Sequence, residues 1–303
     1  MSAFSQLVVA AAESGPIRKT VTESRAGRSL ARRFVAGDTL DDAVRVARSL
    51  NQAGMKVSLD LLGEEVSSVT EVGTAVDGYV DCLDAIASES IDGNISIKLT
   101  QLGLAFDLEV ARAGLDRLAV VASDHGLTVT IDMEDSSYTS ATVDLYGAAQ
   151  KTHGNLGLAI QAYLHRSPQD LATLIPLGGH IRLCKGAYLE SSEVALTSRA
   201  EVDAAFARLL HVLMASGSTT PAIATHDPRL IDLTRHLARQ RSEPFEFQML
   251  YGIRSQAQRE LAAAGYPIRV YVPYGSHWYP YLVRRLAERP ANLAFFLRAV
   301  VGR

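Results

Sequence analysis

From residue 56 onwards, short β-branched apolar runs alternate with longer segments of helical periodicity, and this alternation restricts the chain to few folds. A strand buried on both faces is almost wholly apolar, whereas a helix packed on a sheet repeats its apolar residues at helical spacing. Eight runs match the first pattern: Val57–Leu61, Ile95–Leu99, Thr128–Met133, Leu158–Ala162, Ile181–Lys185, Ala222–Thr225, Phe245–Leu250 and Ile268–Val272.

The segments between these runs are predicted to be helices, and one more helix follows the eighth strand. They lie near Val69–Ala87, Leu108–His125, Ser140–Lys151, Gln169–Ile175, Glu201–Ala215, Arg229–Arg239, Ser255–Ala264 and Tyr281–Glu288. Eight strands that alternate with eight helices predict the α/β class and a (β/α)8 barrel of the TIM type. A doubly wound sheet is the alternative, but no strand is followed by the Gly-x-Gly-x-x-Gly turn of its dinucleotide-binding form.

Residues 1–54 have a different pattern and are predicted to be an N-terminal helical extension. Thr39 and Asp42 resemble a capping box with Asp in place of the usual Glu or Gln, and Gly54 ends the helix that follows. Residues 55–303 are predicted to form one catalytic barrel domain. Its last helix, near residues 280–289, has Pro280 in its first turn and stops at Pro290.

The composition disfavours several classes of protein. Of the 303 residues, 48% are hydrophobic, which is enough for a large core, and the net charge of −3 disfavours a nucleic-acid partner. Cys82 and Cys184 form neither a disulfide framework nor a metal-ligand cluster. There is no signal-peptide pattern and no apolar run near the about 18 residues that span a bilayer, so we expect a cytoplasmic protein without a metal site.

Polar residues gather at the carboxyl ends of the predicted strands, where the active sites of such barrels lie. A strand that is buried on both faces should be nearly all apolar, so each polar residue in it needs a hydrogen-bond partner. The set consists of Lys98, Asp132, Gln161, Arg182, Lys185, His226, Asp227, Glu246, Gln248 and Tyr271. We therefore predict one cationic cleft at this face of the barrel, suited to an anionic ligand.

The last predicted helix carries two adjacent arginines, Arg284 and Arg285. Tyr281 precedes Arg285 by four residues, and Glu288 follows both arginines at helical spacing, so it can hold either guanidinium in place. Two anchored guanidiniums can grip a carboxylate through several charge-assisted hydrogen bonds. An exposed helix with ordinary salt bridges is the alternative interpretation.

On the residues alone, three other functions stay open. Lys98 or Lys185 would serve as the nucleophile of a Schiff-base aldolase. His226 and Asp227 with Asp132 would serve a metal-dependent hydrolase, although no second His or Cys lies nearby in sequence. A flavin- or ligand-binding barrel without turnover is the third. Independently of these functions, Lys98 with Asp132 has a structural alternative as a buried ion pair, and Gln161 as a packing amide.

Over about residues 35–298, eight segments resemble the proline dehydrogenase family, in the family's order. They are Leu59-Asp-Leu-Leu-Gly-Glu64, Ile97-Lys-Leu-Thr-Gln-Leu-Gly103, Ile131-Asp-Met-Glu-Asp-Ser136, Gln161-Ala-Tyr-Leu164, Arg182-Leu-Cys-Lys-Gly-Ala-Tyr-Leu-Glu190, Ala224-Thr-His-Asp227, Glu246-Phe-Gln-Met-Leu-Tyr-Gly252 and Tyr281-Leu-Val-Arg-Arg-Leu-Ala-Glu288. The length resembles the monofunctional bacterial form. Cys184 departs from the family, which has valine at that position.

The resemblance implies FAD bound noncovalently at the carboxyl face of the barrel, and hydride transfer from L-proline to give Δ1-pyrroline-5-carboxylate. It implies catalytic roles for Asp132 and for Arg182, the latter beside the reacting part of the flavin. With Glu288 added from its helical spacing, the expected substrate-binding residues are Lys98, Tyr188, Leu250, Tyr271, Tyr281, Arg284, Arg285 and Glu288. The expected flavin-contacting residues are Met133, Gln161, Arg182, Lys185, Gly186, Ala187, Thr225 and His226.

The resemblance also suggests the partners. It implies a quinone as electron acceptor, reached without a spanning helix through peripheral contact at the inner face of the cell membrane. It implies a separate Δ1-pyrroline-5-carboxylate dehydrogenase chain downstream, since no second catalytic domain fits in 303 residues.

Overall fold

The computed structural model describes residues 18–19, 21–22, 24–63 and 66–287, in which eight parallel strands close into a barrel in sequence order. Each strand pairs with the next, and the last pairs with the first. The strands are β1 Lys56–Leu61, β2 Gly93–Ile97, β3 Val129–Ile131, β4 Leu156–Gln161, β5 His180–Cys184, β6 Thr220–Ala224, β7 Glu246–Leu250 and β8 Ile268–Tyr274. The predicted (β/α)8 fold is confirmed.

Helices connect the strands, and several begin where a polar side chain caps them. Asp107, Asp135 and Asp227 each accept a hydrogen bond from a backbone N–H of the first turn, which fixes three of the helix starts. The helices are α1 Arg25–Ala31, α2 Leu40–Gln52, α3 Val69–Ser88, α4 Leu108–Asp124, α5 Ser136–His153, α6 Ser167–Leu174, α7 Arg199–Ala215, α8 Pro228–Ala238, α9 Ser255–Ala263 and α10 Trp278–Ala287.

The main apolar core lies between the strands and the surrounding helices. Strand residues such as Leu59, Ile97, Ile131 and Phe247 are completely buried in it. Each such side chain contributes about 1.5–3 kcal/mol relative to an exposed one. The core therefore fixes the strands, and through them the positions of the residues at their ends.

Two helices depart from a simple alternation of strands and helices. α2 comes from the N-terminal region and packs against β1 and β8, closing the outer ring where these strands meet. The predicted capping box at its start is confirmed, because Thr39 Oγ1 accepts from Asp42 N and Asp42 Oδ2 accepts from Thr39 N. The domain boundary at residue 54 stays a prediction.

The last helix of the described residues, α10, lies at the carboxyl ends of the strands and packs against α1. Both helices belong to a second apolar cluster with Leu62, which follows β1, and with Ile253, which follows β7. The arginine-bearing helix is thus placed at the mouth of the barrel. In the described ranges, no helix has the length and hydropathy that crossing a membrane requires.

Candidate active site

The predicted polar strand ends come together because the carboxyl ends of parallel barrel strands share one face. Lys98 and Asp132 directly follow β2 and β3, which are neighbours, and Tyr271 lies in β8. Asp132 Oδ2 accepts from Lys98 Nζ at 3.3 Å and from Tyr271 Oη at 2.7 Å. The structure therefore joins three of the predicted residues in one contact network.

Asp60 of β1 is a fourth member, and its role was not predicted. Its Oδ1 accepts from Lys98 Nζ at 2.7 Å, and the residue is completely buried. Burial raises the pKa of Asp60 although Lys98 opposes the shift. Burial acts in the same direction on Asp132, but Lys98 and Arg182 outweigh it and leave the pKa of Asp132 below its ordinary value. Lys98 and Arg182 therefore favour the charged form of Asp132.

Lys98 lies between these two carboxyl groups. Burial lowers the pKa of an ammonium, but Asp60 and then Asp132 outweigh that effect and raise the pKa of Lys98 well above its usual value. The ammonium is therefore charged at neutral pH. A Schiff-base nucleophile must be a neutral amine, so this environment disfavours the aldolase alternative.

Arg182 of β5 connects this network to the other side of the barrel. Its Nη1 donates to Asp132 Oδ1 and to Ser96 Oγ, the latter at 3.0 Å, while its Nε donates to Gln248 Oε1 at 2.6 Å. The guanidinium carbon lies 5.3 Å from the centroid of the Tyr271 ring, within cation–π distance. Its Nη2 is buried and has no hydrogen-bond partner among the described residues.

A second group of predicted residues follows β4 and β5. The Gln161 side chain donates to Glu134 O at 2.8 Å and accepts from Ala187 N at 3.2 Å, so it links the loops after β3 and β5. Gly186 has φ +124°, and a Cβ there would lie 2.3 Å from the Tyr163 ring. Only glycine fits this turn. Met133, which follows Asp132, is buried.

Lys185 does not present a free ammonium. It contacts the carboxylates of Asp203 and Asp227, the latter at 3.0 Å, and the exposed Arg229 contacts the same two carboxylates. Burial alone would raise the pKa of Asp227, but hydrogen bonds from Lys185 and Arg229 bring it down to about 2. The quartet has two positive and two negative charges, so it adds less positive charge to the cleft than the sequence suggested.

His226 and Thr225 lie beyond β6. Leu250 N donates to His226 Nε2 at 3.0 Å, which places the ring proton of the neutral imidazole on Nδ1. Thr225 is buried and its Oγ1 accepts from Asp227 N at 3.1 Å. Leu250 N thus occupies His226 Nε2, and Lys185 and Arg229 occupy the Asp227 carboxylate. In the parts of the chain that the structure describes, no group of three His, Cys, Asp or Glu residues is placed to hold a metal ion.

The arginine pair lies in the last turn of α10, the helix at the same mouth. The Arg285 guanidinium lies over the Tyr281 ring, 5.3 Å from its centroid, as their spacing on α10 requires. Burial raises the pKa of Tyr188 to about 12; Glu134 adds to the shift, while the positive charges of Lys98 and Arg284 oppose it. Tyr188 is therefore within electrostatic range of both the Lys98 network and α10. Glu288, predicted beside the arginines, lies outside the described residues.

Two parts of the sequence prediction need correction or addition. Glu246 is the first residue of β7 and binds Arg269, with Arg269 Nε 2.7 Å from Glu246 Oε1, so it lies at the amino-terminal end of the strand and not at the carboxyl end that forms the rim. Asp60 and Ser96 form contacts within the site but are not among the predicted cleft residues, and Gln248 is predicted in the cleft without a role of its own. The sequence signal for all three is a polar residue between apolar neighbours inside a predicted strand, where a buried polar group needs a partner.

Comparison with known proteins identifies the family. The model of the family described as "Proline dehydrogenase" matches residues 43–298. The chain is similar to "Proline dehydrogenase 1" of Bacillus subtilis subsp. natto, with 42% identity over 274 residues, covering 89% of this chain and 90% of that one. It is 37% identical over 281 residues to "Proline dehydrogenase" of Deinococcus radiodurans, covering 90% of each chain.

A solved structure shares the fold. The crystal structure of proline utilization A (PutA) from Bdellovibrio bacteriovorus, inactivated by N-propargylglycine, has a TM-score of 0.82 to this chain at 23% sequence identity. The match covers 93% of this chain and 36% of that longer one. With the family model and the curated relatives over most of the length, the chain belongs to the proline dehydrogenase family of enzymes.

Proposed function

We propose that this protein oxidises L-proline to Δ1-pyrroline-5-carboxylate by hydride transfer to noncovalently bound FAD. One observation carries the proposal: the charged network of Lys98, Asp132, Arg182 and Tyr271 lies at the barrel mouth, where α10 also brings Arg284 and Arg285. Proline has one carboxylate and a small apolar ring. The site offers cations that would bind the carboxylate and aromatic side chains that would surround the ring.

The residues at the rim fit a flavin nucleotide. Arg182 Nη2 is a buried donor without a partner among the described residues, and it suits a group that gains negative charge on reduction. Gly186 has no Cβ, so the backbone after β5 packs closely on the Tyr163 ring at the same rim. We expect FAD to be held by Met133, Gln161, Arg182, Lys185, Gly186, Ala187, Thr225 and His226. When bound, the flavin accepts the hydride.

The other residues would bind and aim the substrate. Lys98, held charged by Asp60 and Asp132, and the two arginines of α10 would grip the carboxylate. The carboxylate does not react, so this grip fixes the ring carbon beside nitrogen at one position. Tyr188, Tyr271, Tyr281 and Leu250 would surround the ring and exclude water. Asp132 would hold Lys98, Arg182 and Tyr271 in register through its two oxygens.

The direct test is the visible spectrum of the purified protein. A yellow protein whose flavin absorption bleaches on anaerobic addition of L-proline, but not of L-alanine, is the expected result. L-Alanine has the same carboxylate and amine without the ring, so it separates ring recognition from carboxylate binding. A colourless protein, or a flavin that L-proline leaves oxidised, would contradict the proposal.

We infer further that a quinone takes the electrons, at the inner face of the cell membrane, and that a separate Δ1-pyrroline-5-carboxylate dehydrogenase consumes the product. The family resemblance supports this. A short-chain quinone should reoxidise the reduced enzyme faster than dissolved oxygen does. Faster reoxidation by oxygen would argue for a different acceptor.

A further inference from the structure

A buried chain of hydrogen bonds leads from the centre of the barrel to Arg182. Gln248 Oε1 accepts from Arg182 Nε at 2.6 Å, and Gln248 Nε2 donates to Glu246 Oε1 at 2.6 Å. Gln248 and Glu246 are two residues apart on β7, so they point to the same face of the strand. Between β5 and β7, the register partner of both Arg182 and Glu246 is Ala222, whose small side chain leaves room for the arginine to reach across.

The far end of this chain is anchored by a second ion pair. Arg269 Nε and Nη2 bind the two oxygens of Glu246 at 2.7 and 3.1 Å, and Arg269 Nη1 donates to Val57 O at 2.9 Å. Burial would raise the pKa of Glu246, but the charge and hydrogen bonds of Arg269 outweigh it and lower that pKa. Glu246 is therefore a carboxylate, which only accepts hydrogen bonds.

A carboxylate at this position decides which way the Gln248 amide points. The amide nitrogen must face Glu246, so the carbonyl oxygen must face Arg182 Nε. Both neighbours require the same orientation. The amide cannot flip without placing its oxygen against the carboxylate and its nitrogen against a guanidinium donor.

The consequence for Arg182 is a fixed guanidinium plane. Gln248 holds Nε, while Asp132 and Ser96 hold Nη1, so Nη2 is the nitrogen left to meet a ligand. We propose that Gln248 and Glu246 are positioning residues that aim Arg182 Nη2 at the flavin during proline oxidation. This proposal rests on the proposed function, since it assigns a purpose to the orientation of Arg182.

The test replaces Gln248 by methionine, which has a similar length and no hydrogen bond to offer Arg182. Losing one hydrogen bond to a charged group should slow flavin reduction by L-proline about 10- to 100-fold. The dissociation constant of L-proline should change less than about threefold, because Lys98 and α10 grip the carboxylate. A residue that acted only on stability would not separate rate from affinity in this way.

Two further variants sharpen the test. Gln150→Met removes another buried glutamine, which accepts from Leu156 N at 2.9 Å at the opposite end of the barrel, and should leave the reduction rate unchanged. If Gln248 acts through Arg182, the double variant Arg182→Lys with Gln248→Met should be no slower than Arg182→Lys alone. Additive losses in the double variant would overturn the proposal, as would an unchanged rate in Gln248→Met.

One readout does not depend on proline oxidation. This second readout is solvent exchange of the Arg182 Nε–H, measured by NMR in protein with isotope-labelled arginine. The Arg182→Lys variant assigns the signal, because the signal disappears in it. Exchange should be slow in the wild type and in Gln150→Met, and rapid in Gln248→Met. If L-proline fails to reduce the wild-type flavin, the proposed function is wrong. Slow exchange of the Nε–H would still show that Gln248 fixes the Arg182 guanidinium. Rapid exchange in the wild type would contradict the claim that Gln248 fixes Arg182.

Discussion

At the scale of single residues, the site depends on charges that are held in place by other charges. Lys98 lies between Asp60 and Asp132, and Arg182 binds Asp132 from the other side. Removing one partner of such a buried set leaves an uncompensated charge, which is more costly than removing an exposed pair. Substitutions here should therefore affect both stability and turnover, whereas substitutions in the α10 pair should affect substrate binding.

Arg284→Lys and Arg285→Lys should each raise the KM for L-proline by about 10- to 50-fold, because an ammonium cannot reproduce the planar fork of a guanidinium. Steady-state kinetics with L-proline would measure this. Arg259→Lys, an exposed arginine on α9, is the matched control and should keep the wild-type KM. An unchanged KM in both α10 variants would remove the pair from the substrate site.

His180 should make the protein less stable in mild acid. Burial lowers the pKa of His180 to about 4; Glu246 acts against this shift, and Arg269 and Arg182 add to it. The unfolded chain has a histidine pKa of about 6.5, so between these values the unfolded state binds the proton and the native state does not. Stability should fall as pH drops through this window, by at most about 3 kcal/mol.

Urea unfolding at several pH values, in the wild type and in His180→Gln, would measure this effect. The variant lacks the titrating ring, so its stability should fall less steeply than that of the wild type between about pH 6.5 and pH 4. Equal slopes for the two proteins would show that other groups cause the acid sensitivity.

At the scale of elements, the contact between the N-terminal region and the loop after β7 supports α10. Gly252 has φ +75°, and a Cβ there would lie 1.6 Å from Arg33 O. The turn that contains Arg33 leads directly to Phe34 and Val35, which pack in the same cluster as Trp278 and Leu282 of α10. A displaced turn would therefore move the helix that carries the arginine pair.

Gly252→Ala should lower the free energy of unfolding by about 2–4 kcal/mol and raise the KM for L-proline. The matched control is Gly265→Ala: Gly265 has φ +79° but nothing within 4 Å of an added Cβ. It should cost only about 1 kcal/mol, from the left-handed backbone alone. Equal losses in the two variants would mean that the contact with Arg33 does not support the site.

At the scale of the whole molecule, local signals predicted the elements but not how distant parts meet. The runs near Ile95 and Ile268 are strands because β-branched residues fill them, and a capping side chain marks the helix that begins after Thr39. That α2 covers β1 and β8 depends on contacts between the two ends of the barrel, which no local pattern encodes. The inward direction of Asp60 and Gln248 likewise depends on strand register.

The different packing of α1 and α2 predicts where the chain can be shortened. α2 buries Ala43, Val44 and Ala47 in the main core against β1 and β8, whereas α1 packs against α10. A chain that begins at residue 38 should therefore fold with a raised KM for L-proline, while one that begins at residue 55 should fail to fold. Circular dichroism and size-exclusion chromatography would distinguish the two, and a folded chain from residue 55 would contradict the role of α2.

The pairing of α1 with α10 also affects how the protein is made. α10 follows all eight strands in the sequence, so during synthesis Leu30, Phe34 and Val35 wait for their partners on α10 until every strand of the barrel has emerged. Until then their apolar surface is open to aggregation and to chaperones. The nascent chain completes its eight strands before α10, which carries Arg284 and Arg285, so a ribosome-bound intermediate should present a barrel whose mouth lacks this helix.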